Sequence, residues 1–314
     1  MWIYIILIVA VLLTTFVIAI YYENSALTIS DYEVCSKRLP KEADGTNFVL
    51  IADLHSNQFG QNNIDLIQKI DSLSPDFIIV AGDLFIGREY SFDVAYDLLQ
   101  KLSRNYTIYY SYGNHEQKVE QYEKRLKSAQ MDTKKSHRVD ESKDLRVIKS
   151  FAEFKKKVRA LGVHVLNNEA MIRPTGGSRN LRIFGGSIDL LYFKRFRRPP
   201  MTCNYLNSCF GTGILKDYQI LIAHNPMYFD TYAEWGADLV LSGHVHGGMV
   251  RIPFLGGVIS PQMQIFPKYD AGVFTKKTDT HEATMIVSRG LGIHTLKIRL
   301  FNRPELIRVT LRNQ

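Results

Sequence analysis

Five short apolar runs, each stopping at residues able to bind a metal, constrain this chain more than any other feature. Phe48-Val49-Leu50-Ile51-Ala52 leads into Asp53-Leu54-His55, and Phe77-Ile78-Ile79-Val80-Ala81 into Gly82-Asp83. Tyr106 through Tyr110 lead towards Gly113-Asn114-His115-Glu116. Ile220-Leu221-Ile222-Ala223 leads into His224-Asn225-Pro226, and Leu239-Val240-Leu241 into Gly243-His244-Val245-His246-Gly247-Gly248. An apolar run bounded by polar residues is the pattern of a strand buried on both faces of an α/β sheet. Beyond the ends of such strands, at the mouth of the sheet, ligand-binding groups gather. Asp53-Leu54-His55 alone is equally well read as a turn aspartate and a surface histidine. Five strand ends of this kind in one chain are not.

Helical spacing fills the gaps between the first three runs. Ile64, Ile67, Ile70 and Leu73 share one face of an expected helix over Asn62–Leu73, and Pro75-Asp76 ends it. Val94, Leu98, Leu99 and Leu102 mark a second helix near Asp93–Leu102. Strand, helix, strand, helix, strand is the order of a layered α/β fold. Tyr32-Glu33-Val34 reads as a first strand. Met171-Ile172-Arg173 and Leu181-Arg182-Ile183-Phe184 flank Thr175-Gly176-Gly177-Ser178 as a hairpin. Met285-Ile286-Val287 and Ile307 through Leu311 read as closing strands. His164, inside an apolar strand, is expected to pack rather than to ligate.

Met1 to about Tyr22 is almost wholly apolar and carries no charged side chain. Its length meets the roughly 20 residues needed to cross a bilayer. Trp2, Tyr4, Tyr21 and Tyr22 stand near its ends, where interfacial aromatics belong. No Lys or Arg precedes the run, so an uncleaved single-pass anchor in the cell membrane is preferred to a cleaved signal peptide. Lys37, Arg38 and Lys41 follow it, and the positive-inside rule then leans towards a cytoplasmic catalytic domain. The expected organisation is an anchor over 1–22, a linker and first strand over 23–46, and a catalytic domain over 47–314. A basic insertion is expected within that domain at about 117–160, as Lys118–Lys157 is dense in Lys, Glu and Arg. It reads either as a cap over the site or as a solvated charged segment.

The formal net charge of +8 favours anionic partners. Cys35, Cys203 and Cys209 form no CxxC pair, which excludes a zinc ribbon. Leu191-Tyr192-Phe193-Lys194-Arg195-Phe196-Arg197-Arg198 interleaves aromatics with cations. Such a run suits an anionic membrane surface. It also suits single-stranded nucleic acid, or a plain solvated loop. In an anchored chain the membrane is the easier reading.

Two Asp, one Asn and four His are the inventory of a two-metal phosphoesterase. A phosphate ester repels nucleophiles because its oxygens carry negative charge. Two divalent ions about 3.5–4 Å apart offset that charge and supply a nucleophile at neutral pH. They require a bridging carboxylate and a few terminal nitrogen and oxygen ligands. Asp53-Leu54-His55, Gly82-Asp83, Gly113-Asn114-His115-Glu116, His224 and Gly243-His244-Val245-His246 together resemble the motif set of calcineurin-like metallophosphoesterases, over roughly residues 47–311. The resemblance implies an α/β fold, a four-layer αββα sandwich, here preceded by one N-terminal transmembrane helix. It implies that Asp53, His55 and His246 hold one metal, that Asn114, His224 and His244 hold the other, and that Asp83 bridges them. It gives catalytic roles to Asp83, Asn114 and His115, the last protonating or stabilising the leaving oxygen. Glu116 stands where many relatives have Asp and is expected to orient neighbours. Gly82, Gly113 and Gly243 are expected to let the backbone turn sharply.

The N-terminal apolar segment, and Ser288-Arg289-Gly290-Leu291-Gly292 before Asn302-Arg303-Pro304-Glu305, resemble bacterial membrane-associated phosphoesterases. Some of these cleave the pyrophosphate of a UDP-linked diacylated sugar. The function implied is hydrolysis of a phosphodiester or pyrophosphate bond in a lipid or lipid-linked substrate. The cofactors would be two divalent ions, Mn, Fe or Zn, with Mn expected to support activity in vitro. The partners would be the lipid bilayer and a phosphorylated substrate. Nucleic acid is the lesser alternative, and no obligate protein partner is evident. Arg289 reads either as a substrate-phosphate contact or as half of a structural ion pair. The alternatives are a broad phosphodiesterase or nuclease, and a non-catalytic scaffold, which would be expected to have lost ligands that this chain keeps.

Overall fold

A computed structural model describes residues 2–89, 91–131, 141–195, 197–213, 216–252, 254–260, 263–293 and 298–314, the side chains of 127–144 excepted. In chain order, α1 (Trp2–Ser25) runs into β1 (Thr28–Cys35). There follow β2 (Asn47–Ile51), α2 (Ile64–Leu73), β3 (Phe77–Val80), α3 (Asp93–Leu102) and β4 (Ile108–Ser111). Two longer helices, α4 (Asn114–Met131) and α5 (Glu141–Ala160), precede β5 (His164–Leu166). The second half holds β6 (Glu169–Arg173), β7 (Leu181–Gly186), α6 (Cys203–Phe210), β8 (Tyr218–Ala223), α7 (Phe229–Trp235) and β9 (Leu239–Ser242). It closes with β10 (Val250–Ile252), β11 (Gly256–Ile259), β12 (Gly272–Lys277), β13 (Glu282–Val287) and β14 (Glu305–Arg312).

One sheet has the order β1-β14-β2-β3-β4-β5 and the other β12-β13-β9-β8-β7-β6, while β10 and β11 pair separately. Strands β2 to β5 are mutually parallel, as are β7, β8, β9 and β13. Successive side chains on a strand face opposite ways. Val49 and Ile51 therefore pack outward on Leu66, Ile70, Leu98 and Phe151 of α2, α3 and α5. Phe48 and Leu50 point inward, onto Ile183, Ile220, Ile222 and Leu241 of the second sheet. Beyond that sheet, Phe184, Leu221, Val240 and Met285 meet Leu206, Phe229, Tyr232 and Trp235 of α6 and α7. Helix, sheet, sheet, helix is the expected four-layer sandwich. Both faces of the central strands are buried, so their sequences are unbroken apolar runs.

Three expectations about local structure change. The apolar helix runs to Ser25, and only Ala26 and Leu27 separate it from β1, so no linker precedes the first strand. Arg303 fastens this junction, pairing with Glu23 at 3.0 Å and covering the Tyr22 ring at 5.0 Å. Strand β1 is longer than Tyr32-Glu33-Val34 suggested, because its polar residues lie on an open face. There Asp31 pairs with Arg308 at 2.6 Å and Glu33 with Arg312 at 3.1 Å. The helix expected over Asn62–Leu73 begins at Ile64, since Asn62 and Asn63 adopt left-handed φ values of 54° and 60°.

The described ends of the basic segment after the third motif are built into the body of the domain. Val119 of α4 and Val147, Phe151, Phe154 and Val158 of α5 are buried against Phe85, Phe92 and Tyr112. That apolar stripe at helical spacing anchors α4 and α5 in the outer helical layer. The middle of the expected insertion, 132–140, lies outside the described residues. His164 packs as expected, its ring stacked on Tyr109 at 5.3 Å. Helix α1 is long and apolar enough to cross a membrane, and its side chains are exposed along its length.

Candidate metal centre

Each functional side chain sits just past the carboxyl end of a strand. Asp53 and His55 follow β2, Asp83 follows β3, and Asn114 and His115 open α4 after β4. His224 follows β8, and His244 and His246 follow β9. One sheet thus delivers the carboxylates, the other delivers three imidazoles, and the sandwich brings them face to face.

The distances are short. Asp83 Oδ2 lies 3.1 Å from His224 Nε2, 3.9 Å from His55 Nε2 and 4.0 Å from His115 Nε2. Asp53 Oδ1 lies 3.5 Å from His246 Nε2, 3.6 Å from His224 Nε2 and 3.7 Å from His55 Nε2. Asp53, His55 and His246 form one group whose ligand atoms lie within 4.8 Å of one another, and Asp83, His224 and His244 form a second. A third group of the same size, His55, Asp83 and His115, overlaps both. Asn114 Oδ1 is buried and accepts no hydrogen bond among the described residues. A buried amide oxygen left without a donor is costly unless a cation takes that place. Imidazole, carboxylate and amide donors around such an oxygen fit a pair of divalent ions.

Charge in the centre is set by proximity. Burial opposes ionisation of Asp53 and Asp83, but the surrounding histidines outweigh it and hold both carboxyls well below their ordinary range. Burial likewise opposes the charged form of His224, yet Asp83 and Asp53 raise it to about 10. Burial and the neighbouring His224 push His244 down to about 3. Without metal, the centre therefore keeps a proton on His224 where a cation belongs.

The backbone is strained around the ligands. Asp53, His55, Asp83, His244 and His246 have φ values of 51°, 47°, 53°, 71° and 55°, in the left-handed region that side chains avoid. Of the three motif glycines, only Gly82 has a positive φ, at 88°. Gly113 and Gly243 serve close approach instead, because an added Cβ would collide with the Asp83 and Asp53 carboxylates respectively.

Residues 46–248 match the family described as calcineurin-like phosphoesterase. The chain belongs to that family. It is a metal-dependent phosphoesterase. The chain is similar to "Uncharacterized metallophosphoesterase YkuE" of Bacillus subtilis, with 23% identity over 93% of this chain and 88% of that protein. It is also similar to "Phosphodiesterase YaeI" of Escherichia coli, with 24% identity over 82% of this chain and 79% of that protein. Among solved structures it is similar to a 5'-nucleotidase precursor from Thermus thermophilus, with 13% identity and a TM-score of 0.38. That match covers 78% of this chain and 49% of the other.

Two residues support the phosphoesterase centre from behind its ligands: Glu116 of the third motif, expected to orient its neighbours, and Arg299, which the sequence does not announce. Glu116 is fully buried and accepts from the backbone N–H of Asp83, Leu84 and Gly113 at 2.9–3.0 Å, and from the Tyr110 hydroxyl at 2.7 Å. It ties two ligand loops together. Burial, and then Asp83, raise its carboxyl to about 7. Arg299 is buried and donates to the carbonyls of Arg289, Gly290 and Gly292 at 3.0–3.1 Å. The same turn holds the ligands, since Gly292 N–H donates to the Asp53 carbonyl at 2.6 Å and His246 Nδ1 lies 3.0 Å from the Gly292 carbonyl. Arg299 sits in a basic stretch whose spacing announces nothing. Arg289 proves to be structural, pairing with Glu305 at 3.0 Å and donating to Thr28 Oγ1 at 3.2 Å. In the aromatic-cationic run, the Phe193 ring lies 5.0 Å from the His244 ring, while Phe196 lies outside the described residues.

Proposed function

We propose that this phosphoesterase is anchored in the cell membrane by α1 and hydrolyses a phosphodiester or pyrophosphate bond of a lipid or lipid-linked substrate. The observation that carries the phosphoesterase reading is the convergence of five imidazoles from two sheets on Asp53 and Asp83. In this reading Asp53, His55 and His246 would hold one divalent ion and Asn114, His224 and His244 the other. Asp83, within 4 Å of imidazoles from both groups, would be shared by the two. The donor set accepts Mn, Fe or Zn, and Mn is the ion proposed for activity in vitro. Bound there, the pair would supply Lewis acidity and a nucleophile at neutral pH.

The chain's own groups do the rest. The Ala81 carbonyl lies 2.6 Å from His224 Nδ1 and the Gly292 carbonyl 3.0 Å from His246 Nδ1. A carbonyl only accepts, so in the neutral rings Nδ1 carries the proton and Nε2 offers its lone pair to the centre. His115 has the opposite tautomer, because the Gly87 N–H donates to its Nδ1 at 2.9 Å. Its Nε2–H therefore faces the centre and serves the leaving oxygen as acid. Beside α4, a polar cleft of about 330 Å³ is lined by Gln117, Asn167, Ser187 and Asp189. Gln117 Nε2 and Ser187 Oγ are buried in it without hydrogen-bond partners among the described residues. Gln117 lies on the first turn of α4 with Asn114 and His115, and the cleft suits a polar headgroup. The name of the relative YaeI, a phosphodiesterase, supports a diester, and the apolar α1 supports the membrane.

The test is turnover of bis-p-nitrophenyl phosphate by the full chain in detergent, with and without Mn²⁺, followed by a phospholipid panel set against single-stranded DNA. Metal-dependent turnover with phospholipid preferred is expected. Folded protein inactive with every divalent metal would place the chain among non-catalytic scaffolds. Preference for DNA would make it a nuclease.

A further inference from the structure

The chain beyond His246 builds a small platform that shows apolar side chains to solvent. Phe254 and Leu255 form the tip of the β10–β11 hairpin, and with Ile252 and Phe301 they line one shallow cleft. Ile265 and Phe266 are also exposed, on the segment beside β11, where Ile265 bridges Ile259 and the Phe266 N–H donates to the Val258 carbonyl at 2.9 Å. Phe254 is fully exposed, and Ile265 and Phe301 are 72% and 73% exposed. Single exposed apolar residues need no explanation, but a contiguous group of them marks a surface that something covers.

Three observations identify the cover. The platform adjoins the end of α1: Leu300 bridges Val250, Phe301 follows, and Arg303 pairs with Glu23 in the last turns of α1 at 3.0 Å. The exposed apolar group thus lies beside the point where the apolar helix meets the catalytic domain. Cations rim it, since Arg195 donates to the Met263 carbonyl at 3.3 Å and Lys194 and Arg197 beside it are exposed. Apolar side chains bordered by Lys and Arg suit an interface with anionic lipid. The platform is also joined to the metal centre, because Asn302 Nδ2 donates to the His246 carbonyl at 2.7 Å and to the Gly248 carbonyl.

We propose that this platform is seated in the interfacial layer of the bilayer next to α1, holding the metal centre at the membrane surface. The proposal rests on α1 being a membrane anchor. It also explains the aromatic-cationic run as part of the membrane-facing rim and not as a track for nucleic acid.

The test uses the full chain in vesicles of phosphatidylcholine and phosphatidylglycerol, with and without bromine on the acyl chains near the headgroup. Leu255→Trp and Phe301→Trp are compared with Ile172→Trp, an exposed site on β6 at the far edge of the second sheet from β12. Signal beyond that of the native Trp2 and Trp235 is read. Brominated lipid is expected to quench the added fluorescence of Leu255→Trp and Phe301→Trp, and not that of Ile172→Trp. Equal quenching at all three sites would overturn the proposal. A concentration-dependent dimer in detergent that Leu255→Asp dissolves would also overturn it, assigning the platform to a second copy of the chain. Release of the wild-type chain from vesicles by alkaline carbonate would defeat the anchor itself, and the platform's role with it. Quenching at both platform sites in carbonate-resistant protein supports the proposal whatever the catalytic assay shows.

Discussion

The backbone N–H of Gly87 donates to Nδ1 of His115 at 2.9 Å, and this one bond separates His115 from His224 and His246. His224 and His246 meet carbonyls at the same ring atom. His115→Ala is therefore expected to keep its metals and to lose about 10²–10⁴-fold in kcat, as for a missing general acid. Metal analysis beside steady-state kinetics checks this. A variant that loses metal in step with rate would make His115 a ligand.

Asp83 stands between both groups of donors. Asp83→Ala is expected to leave fewer than two ions bound per chain and to abolish turnover, since in the proposed scheme this one carboxylate would serve both positions. Metal content after dialysis, measured by plasma emission, is the check. Two tightly held ions in Asp83→Ala would remove the bridge from the scheme.

Arg299 holds the turn that carries the backbone partners of Asp53 and His246. It touches neither metal ligand through its own side chain in any described hydrogen bond, so it acts by positioning. Arg299→Met keeps the length and removes the donors. Loss of such outer support is expected to weaken metal binding by about 10–100-fold. Titration calorimetry with Mn²⁺ reads the change directly. Unchanged affinity in a folded variant would reduce Arg299 to a stability residue.

Stability without metal is expected to depend on pH in a definite sense. His224 is raised from 6.5 to about 10 by Asp83 and Asp53 against the effect of burial. The folded chain thus binds more protons than the unfolded chain between those values. This contribution is complete below pH 6.5 and is lost as pH rises through about 10. The lowered carboxyls of Asp53 and Asp83 act at the other end: their contribution is present above 3.8 and lost as pH falls. The unfolding temperature of metal-free protein should therefore fall from neutral pH towards 10. In the proposed scheme Mn²⁺ would displace the His224 proton and flatten that limb. Proton release on Mn²⁺ binding, read in two buffers of different ionisation enthalpy, provides the independent check. An unfolding temperature that rises towards pH 10 would refute the sign.

The linear chain determined the layers and the chemistry. A strand buried on both faces can be written only as an apolar run, so β2, β3, β8 and β9 were legible, and the donors past their ends named the metal centre. Helices α2 and α3 showed in their spacing because each buries one stripe. Tertiary structure alone decided the rest. It decided which donors share a partner, because Asp53 and His246 meet only when two sheets stack. It decided the left-handed backbone at Asp53, His55, Asp83, His244 and His246, a strain that persists only where surrounding contacts overdetermine it. It placed Arg299 under the ligand turn, joined α1 to β1 without a linker, and gathered Phe254, Leu255 and Phe301 around one cleft. Each of these is a contact between residues far apart in the chain, and local periodicity carries no record of such contacts.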